Sequence, residues 1–212
     1  MQEAEVSLRV ALYYIKNGLT DKEVVVSIDG AHIKTGETMH FDIWSFMSEN
    51  CLVKCVGDAD KWQGDYKIDG YKPHIIISSK PGEGDVVVLL EGGKKLFVES
   101  KKSGSSKSNQ VYPLMREAIG QLMTGRELTE NIVPVVAVPY SDKSYELATR
   151  WSKYSQIKHI GIRFILVEDR GERRKNRGNA QEDLSPVCGG RSDVLKTRRT
   201  YFGNYSGSGN GA

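Results

Sequence analysis

Five short runs of mostly β-branched residues punctuate the chain: HIIIS at 74–78, DVVVLL at 85–90, LFVES at 96–100, IVPVVAV at 132–138 and IRFILV at 162–167. Each is apolar on consecutive positions and shorter than a typical helix, as strands covered on both faces are. Helical spacing fills the gaps after the third and fourth runs. The first helix opens near Tyr112-Pro113, with Pro tolerated in the first turn, and carries Leu114, Met115, Ala118, Ile119 and Leu122 before Gly125. The second follows Ser141, a good N-cap, and sets Leu147, Ala148, Trp151 and Tyr154 at helical spacing. The order β-β-β-α-β-α-β defines an α/β chain whose helices must cover a sheet.

Upstream, Ala4, Leu8, Ala11, Leu12 and Ile15 recur at steps of three and four, which predicts an amphipathic helix over 3–17 with Gly18 as its C-terminal cap. KEVVVSI (22–28) and MHFDIWSF (39–46) read as two strands of a hairpin, and the polar, Gly-rich residues 48–72 as surface. After Glu168 the periodicity stops. Gly-, Ser- and Arg-rich sequence cannot bury enough surface to offset chain entropy, so 170–212 reads as a flexible tail behind a single domain, 1–169.

The composition, 39% hydrophobic, 27% charged and 8% aromatic over 212 residues, excludes collagen-like, membrane and wholly disordered chains. No run approaches the roughly 18 to 20 apolar residues that span a bilayer. The net charge of +3 is too small to identify a partner, but it is unevenly placed: residues 170–212 carry nine Lys/Arg and four Asp/Glu, which leaves −2 on the first 169. Cys51, Cys55 and Cys188 are an odd number without disulfide spacing, and no signal-peptide stretch opens the chain, so a reducing, cytoplasmic compartment is expected.

Residues 82–102, GEGDVVVLLEGGKKLFVESKK, read as a β-hairpin turning at Gly92-Gly93. A two-residue loop would pair Glu91 with Lys94 and oppose Asp85 to Ser100, turning Glu99 and Lys101 away from Asp85. A three-residue loop, Glu91-Gly92-Gly93, would pair Leu90 with Lys94 and Asp85 with Glu99. Asp85, Val87, Leu89, Phe97, Glu99 and Lys101 then share one face. Two carboxylates about 5 Å apart on an otherwise apolar surface repel each other, and a divalent cation relieves that cost most simply. Hard oxygen ligands suit Mg²⁺ or Mn²⁺, and a cation there, beside the Lys101 ammonium, fits phosphodiester hydrolysis.

Asp85, then thirteen residues, then Glu99-Ser100-Lys101, on a hairpin succeeded by a helix and a strand, resembles the PD-(D/E)xK nuclease superfamily. The resemblance covers about residues 74–168, and GDVV, VESKK and EAIGQL look like small prokaryotic members. It implies a restriction-endonuclease-like αβββαβ core, with a central mixed sheet flanked by helices. Asp85 and Glu99 would be metal ligands, the Ser100 backbone carbonyl a further ligand, and Lys101 the catalytic lysine. Gly84 stands where the family name has Pro. Several branches place a Gln on the following helix, which maps to Gln121, with Glu117 one turn earlier; others place a supporting Glu on the N-terminal helix, where Glu5 and Glu3 are the candidates. The implied partner is nucleic acid, DNA by analogy, and a duplex cut would favour a homodimer.

Other readings compete. The Asp85, Glu99 and Lys101 charges are also what a solvated ion cluster at a sheet end would look like, and a non-catalytic nucleic-acid-binding or assembly protein keeping this fold is the alternative function. Lys102 and Lys107, in the loop SKKSGSSKSNQ, and Arg173 and Arg174, in RGERRKNRG, are candidate phosphate contacts. The four histidines lack zinc spacing and there is no P-loop. Cys51 and Cys55, which could share a helix face, and the turn pair Asp29-Gly30 read as structural.

Overall fold

The structure, a computed structural model, describes residues 1–102 and 110–168. The chain opens with helix α1, Glu3–Lys16, whose Ala4, Leu8, Ala11, Leu12 and Ile15 are all buried, with Val6, Val10 and Tyr14 widening the apolar face. Glu3 and Glu5 in its first turn and Lys16 in its last complement the helix dipole. Strand β1 (Val24–Ser27) is followed by a 3₁₀ turn at Gly30–His32 and two short paired strands, β2 (Lys34–Thr35) and β3 (Thr38–Met39). Helix α2 (Ile43–Glu49) leads into strands β4 (Leu52–Val56), β5 (Gly64–Ile68), β6 (Ile75–Ser78), β7 (Val86–Leu89) and β8 (Lys95–Ser100). Helix α3 (Val111–Thr124), strand β9 (Ile132–Pro139), helices α4 (Asp142–Trp151) and α5 (Ser155–Ile160), and strand β10 (Arg163–Val167) complete the described chain.

Eight of the strands form one mixed sheet in the order β10-β9-β8-β7-β1-β6-β5-β4. β8, β9 and β10 run parallel to one another, as do β1 and β6, while β7 is antiparallel to both of its neighbours. On one face α1 packs across β1, β7, β8 and β9, burying Leu8 with Val24, Val86, Leu96 and Val98. On the other, α3 covers β8 and β9 and α4 packs on β10, around Phe97, Met115, Val136, Leu147 and Trp151. The α3 face is covered unevenly: Val87, Val25 and Ile76, which continue the Phe97 row across β7, β1 and β6, are only half-buried.

The α/β assignment holds, and so does the order of elements from residue 74 except that a further short helix, α5, stands between α4 and β10. Residues 39–46 do not form a strand paired with β1. Only Thr38–Met39 is extended, and Asp42 caps α2 by accepting the Ser45 N–H at 3.0 Å, so that Ile43, Phe46 and Met47 fall on one helical face and are buried. The neighbours of β1 are β6 and β7. Residues 48–72 are not merely surface, since β4 and β5 extend the sheet and bury Leu52, Tyr66 and Ile68. Helix α4 ends at Trp151, leaving Tyr154 outside it and 46% exposed. Cys51 and Cys55 share no helix: Cys51 follows α2 at φ 56° and Cys55 lies on β4. Cys188 and the expected tail lie outside the described residues. Among the described residues no helix is long and apolar enough to cross a membrane.

Two substitutions test this packing. Leu8→Ala empties a fully buried position between α1 and the sheet and should cost about 2–5 kcal/mol. Ser141→Ala removes the hydroxyl that accepts the Ser144 N–H in a reciprocal capping box and should cost about 1 kcal/mol. Urea denaturation measures both, and an effect of Leu8→Ala no larger than that of Ser141→Ala would contradict the assigned core.

Candidate active site

The hairpin turn sets the site. Leu90 N–H donates to Lys94 C=O at 2.8 Å, Gly93 N–H reaches back to Leu90 C=O at 3.2 Å, and Gly92 and Gly93 both lie at left-handed φ, +84° and +79°. Both angles suit Gly, which has no Cβ to clash there. This is the three-residue loop, and the ladder runs Leu89↔Lys95, Val88↔Leu96, Val87↔Phe97, Val86↔Val98. Val86 and Val88 therefore face α1, while Phe97 and Glu99 face the α3 side.

Asp85 sits just before β7 and is stitched to both neighbouring strands. Its N–H donates to Val98 C=O at 2.9 Å and its C=O accepts from Ser27 N–H at 2.9 Å. Its carboxylate accepts the Ser100 N–H at 2.7 Å. A Cβ at Gly84 would stand 3.2 Å from Val98 C=O and 3.9 Å from Glu99 Oε1, so the backbone here approaches β8 and the Glu99 carboxylate closely. Asp85, Glu99 and Gln121 line one cleft of about 510 Å³, walled also by Ser27, Asp29, Lys80 and Arg126. β1 and β8 end at this cleft and β7 begins at it.

Burial, with Glu3 adding to it, pushes the Asp85 carboxyl up to about 6 despite the Ser100 N–H, which favours its ionised form. Burial and then the Asp85 charge push Glu99 up to about 7, with Lys101 and Arg126 opposing. Each carboxylate is thus costly to ionise in the bare protein. That is the donor chemistry of a cation site, two hard, desolvated anionic oxygens whose repulsion a divalent ion would remove. The residues fit Mg²⁺ or Mn²⁺, with Asp85 and Glu99 as the charged ligands. Among the described residues no group of three or more His, Cys, Asp or Glu side chains converges as a complete metal cage.

Lys101 is 5% exposed and does not line the cleft. Its ammonium lies 3.2 Å from Glu117 and 3.9 Å from Glu3, tying β8 to both α3 and α1. Of the two N-terminal candidates the structure places Glu3 at the site; Glu5 instead pairs with Arg9 at 2.7 Å, one turn along α1. Burial raises the Glu3 pKa and Lys101 works against that rise. The Ser100 side chain points to the α1 face, where its hydroxyl accepts from Ser7 at 2.9 Å. Lys102 is exposed beside this cluster and acts on Glu3. Lys107, Arg173 and Arg174 lie outside the described residues.

Three neighbours are not among the site residues expected from the sequence, where Asp29 reads as a structural turn residue. Asp29 caps the 3₁₀ turn by accepting Ala31 N–H at 2.9 Å and lines the cleft, and His32 Nδ1 is 3.7 Å from Glu3. Arg126, just past α3, lies over the Phe97 ring. The segment SIDGAH carried a signal only for someone who knew that β1 lies beside Asp85, and Arg126 carried none.

Because both folded-state pKa values are raised above the unfolded values of about 4, Asp85 and Glu99 contribute stability that is fully present below pH 4 and is lost as pH rises through about 6 and 7. In chelator, Asp85→Asn, which still accepts the Ser100 N–H, should flatten that fall between pH 4 and 7. Denaturation midpoints across pH measure it, and an identical pH slope in wild type and variant would contradict the assigned environment.

Comparison with protein-family models, with curated proteins and with solved structures returns no match, so what this site does is read from its own chemistry.

Proposed function

We propose that the protein is a metal-dependent nuclease that hydrolyses phosphodiester bonds, in DNA, on a restriction-endonuclease-like αβββαβ core. The reading is carried by one observation: two desolvated, mutually repelling carboxylates, Asp85 and Glu99, line a cleft where β7 and β8 meet, with the Gln121 side of α3 across from them. The adjoining strands β1, β7, β8 and β9, with β7 antiparallel to β1 and β8 and β8 parallel to β9, lie between α1 on one face and α3 on the other, an αβββαβ arrangement with further elements inserted after β1, which supports the assignment.

Asp85 and Glu99 would hold Mg²⁺ or Mn²⁺, with the Ser100 carbonyl as a further oxygen ligand, and such an ion would supply Lewis-acid polarisation of a phosphoryl oxygen and lower the pKa of a bound water. The chain's own groups do the positioning. Ser100 N–H holds the Asp85 carboxylate in place. Gln121 reaches the cleft as a neutral donor and acceptor that orients the attacking water or the phosphate. Lys101, pinned between Glu117 and Glu3, supplies positive potential next to the carboxylates and neutralises charge as the phosphorane develops. One such site cuts one strand, so a duplex cut calls for a homodimer.

A second reading, a non-catalytic nucleic-acid-binding or assembly protein, is favoured by one specific feature: Lys101 is withdrawn from the cleft into ion pairs. Incubation with supercoiled, linear and single-stranded DNA and with RNA separates the two. The nuclease reading expects Mg²⁺- or Mn²⁺-dependent cleavage that falls at least about 100-fold in Asp85→Asn, Glu99→Gln and Lys101→Ala, and about 10-fold in Gln121→Ala. It also expects Mg²⁺ to raise the melting temperature of wild type but not of Asp85→Asn. Cleavage that survives Asp85→Asn, or wild type inert to every substrate and to the metal, favours the second reading.

A further inference from the structure

Arg126 follows α3 at the point where the covered half of the sheet gives way to the open half. Its guanidinium carbon lies over the buried Phe97 ring, 3.9 Å from the ring centre, a cation–π contact that holds the group against the sheet. Its side chain is only 22% exposed, and its partner Glu83 stands 3.6 Å away, beyond hydrogen-bonding distance. Among the described residues the guanidinium makes no hydrogen bond, although it has five N–H donors. Arg126 lines both of two adjoining cavities, the 510 Å³ cleft of Asp85 and Glu99 and a second of about 400 Å³ running past Lys95 and Asn131.

An arginine held over an aromatic face with donors unused within the protein is organised for a bidentate oxyanion, and a phosphodiester presents two non-bridging oxygens, sharing one negative charge, to a guanidinium edge. Phe97 and Glu99 are two residues apart on one strand face, which puts Arg126 about 7 Å along β8 from the carboxylates, the neighbourhood of the next phosphate rather than of the scissile one. Glu83, 59% exposed, can swing into solvent as a phosphate arrives. On the basis of the nuclease reading, we propose that Arg126 is a phosphate-binding residue that grips the nucleic-acid backbone one position away from the scissile bond and so sets where the strand lies in the cleft.

The test is fluorescence anisotropy with a 12-nucleotide single-stranded DNA in Ca²⁺, over a salt series, on wild type, Arg126→Gln, Arg126→Ala and Arg126→Lys, with melting temperatures in Mg²⁺ run beside it. Loss of one phosphate contact should weaken binding about 10-fold in the Gln and Ala variants and make the log–log salt slope shallower by about 0.7. Lys, which keeps the charge but not the planar edge, should fall between. An Mg²⁺ melting shift should persist in all three, which shows the fold and the carboxylates to be intact. Wild-type affinity and salt slope in both Gln and Ala variants, or no binding by wild type, overturns the inference. The two readings fail separately: an Mg²⁺ shift that depends on Asp85 with Arg126-independent binding sinks only the clamp, whereas Arg126-dependent binding without any Mg²⁺ shift sinks the nuclease and leaves the clamp.

Discussion

Everything distinctive about this chain depends on the pairing of β7 with β8. One residue of slip would turn Asp85 away from Glu99 and send Val86 and Val88 into solvent while Val87 and Leu89 entered the α1 core. Two forces hold the register. Gly92 and Gly93 supply the left-handed turn geometry, and burial of Val86, Val88, Leu96 and Val98 against α1 penalises the alternative by several side chains' worth of exposed apolar surface. The polar end of the hairpin is thus held by its apolar middle.

That end is electrostatically costly. Asp85, Glu99 and Glu3 are three carboxylates within interaction range of one another, and burial raises the pKa of each. Lys101 is the main internal counterweight, but its direct pairings are with Glu3 and Glu117, so it relieves the helices more than the two strand carboxylates. The remaining imbalance at Asp85 and Glu99 is structurally unhelpful to the bare protein, and sites where a fold tolerates such a cost are where function is expected.

The uneven cover of the sheet explains why the cleft lies where it does. α3 and α4 shield β8, β9 and β10, and among the described residues no comparable apolar layer seals Val87, Val25 and Ile76. The margin between the two regions leaves the strand ends of β1, β7 and β8 open beside the C-terminal end of α3. Asp29, Gln121 and Arg126, remote in sequence, meet there.

Local chemistry was legible without coordinates: the period of α1, the Ser141 cap and the apolar strands follow from residues a few positions apart, where propensity and turn geometry act, and the hairpin was narrowed to two registers, between which the folded ladder decides. The same rules misread residues 39–46, because Phe41, Ile43, Trp44 and Phe46 have strand-like character and only the Asp42 cap and the burial of Ile43, Phe46 and Met47 tip the segment to helix. By itself the sequence determined an α/β chain and named Asp85, Glu99, Lys101 and Gln121. Tertiary structure alone decided that β1 lies between β6 and β7, that Glu3 rather than Glu5 reaches Lys101, that Lys101 turns to Glu117, and that Arg126 stands over Phe97. Those are contacts between residues far apart in the chain, and they are selected by the packing of whole elements, which no local pattern encodes.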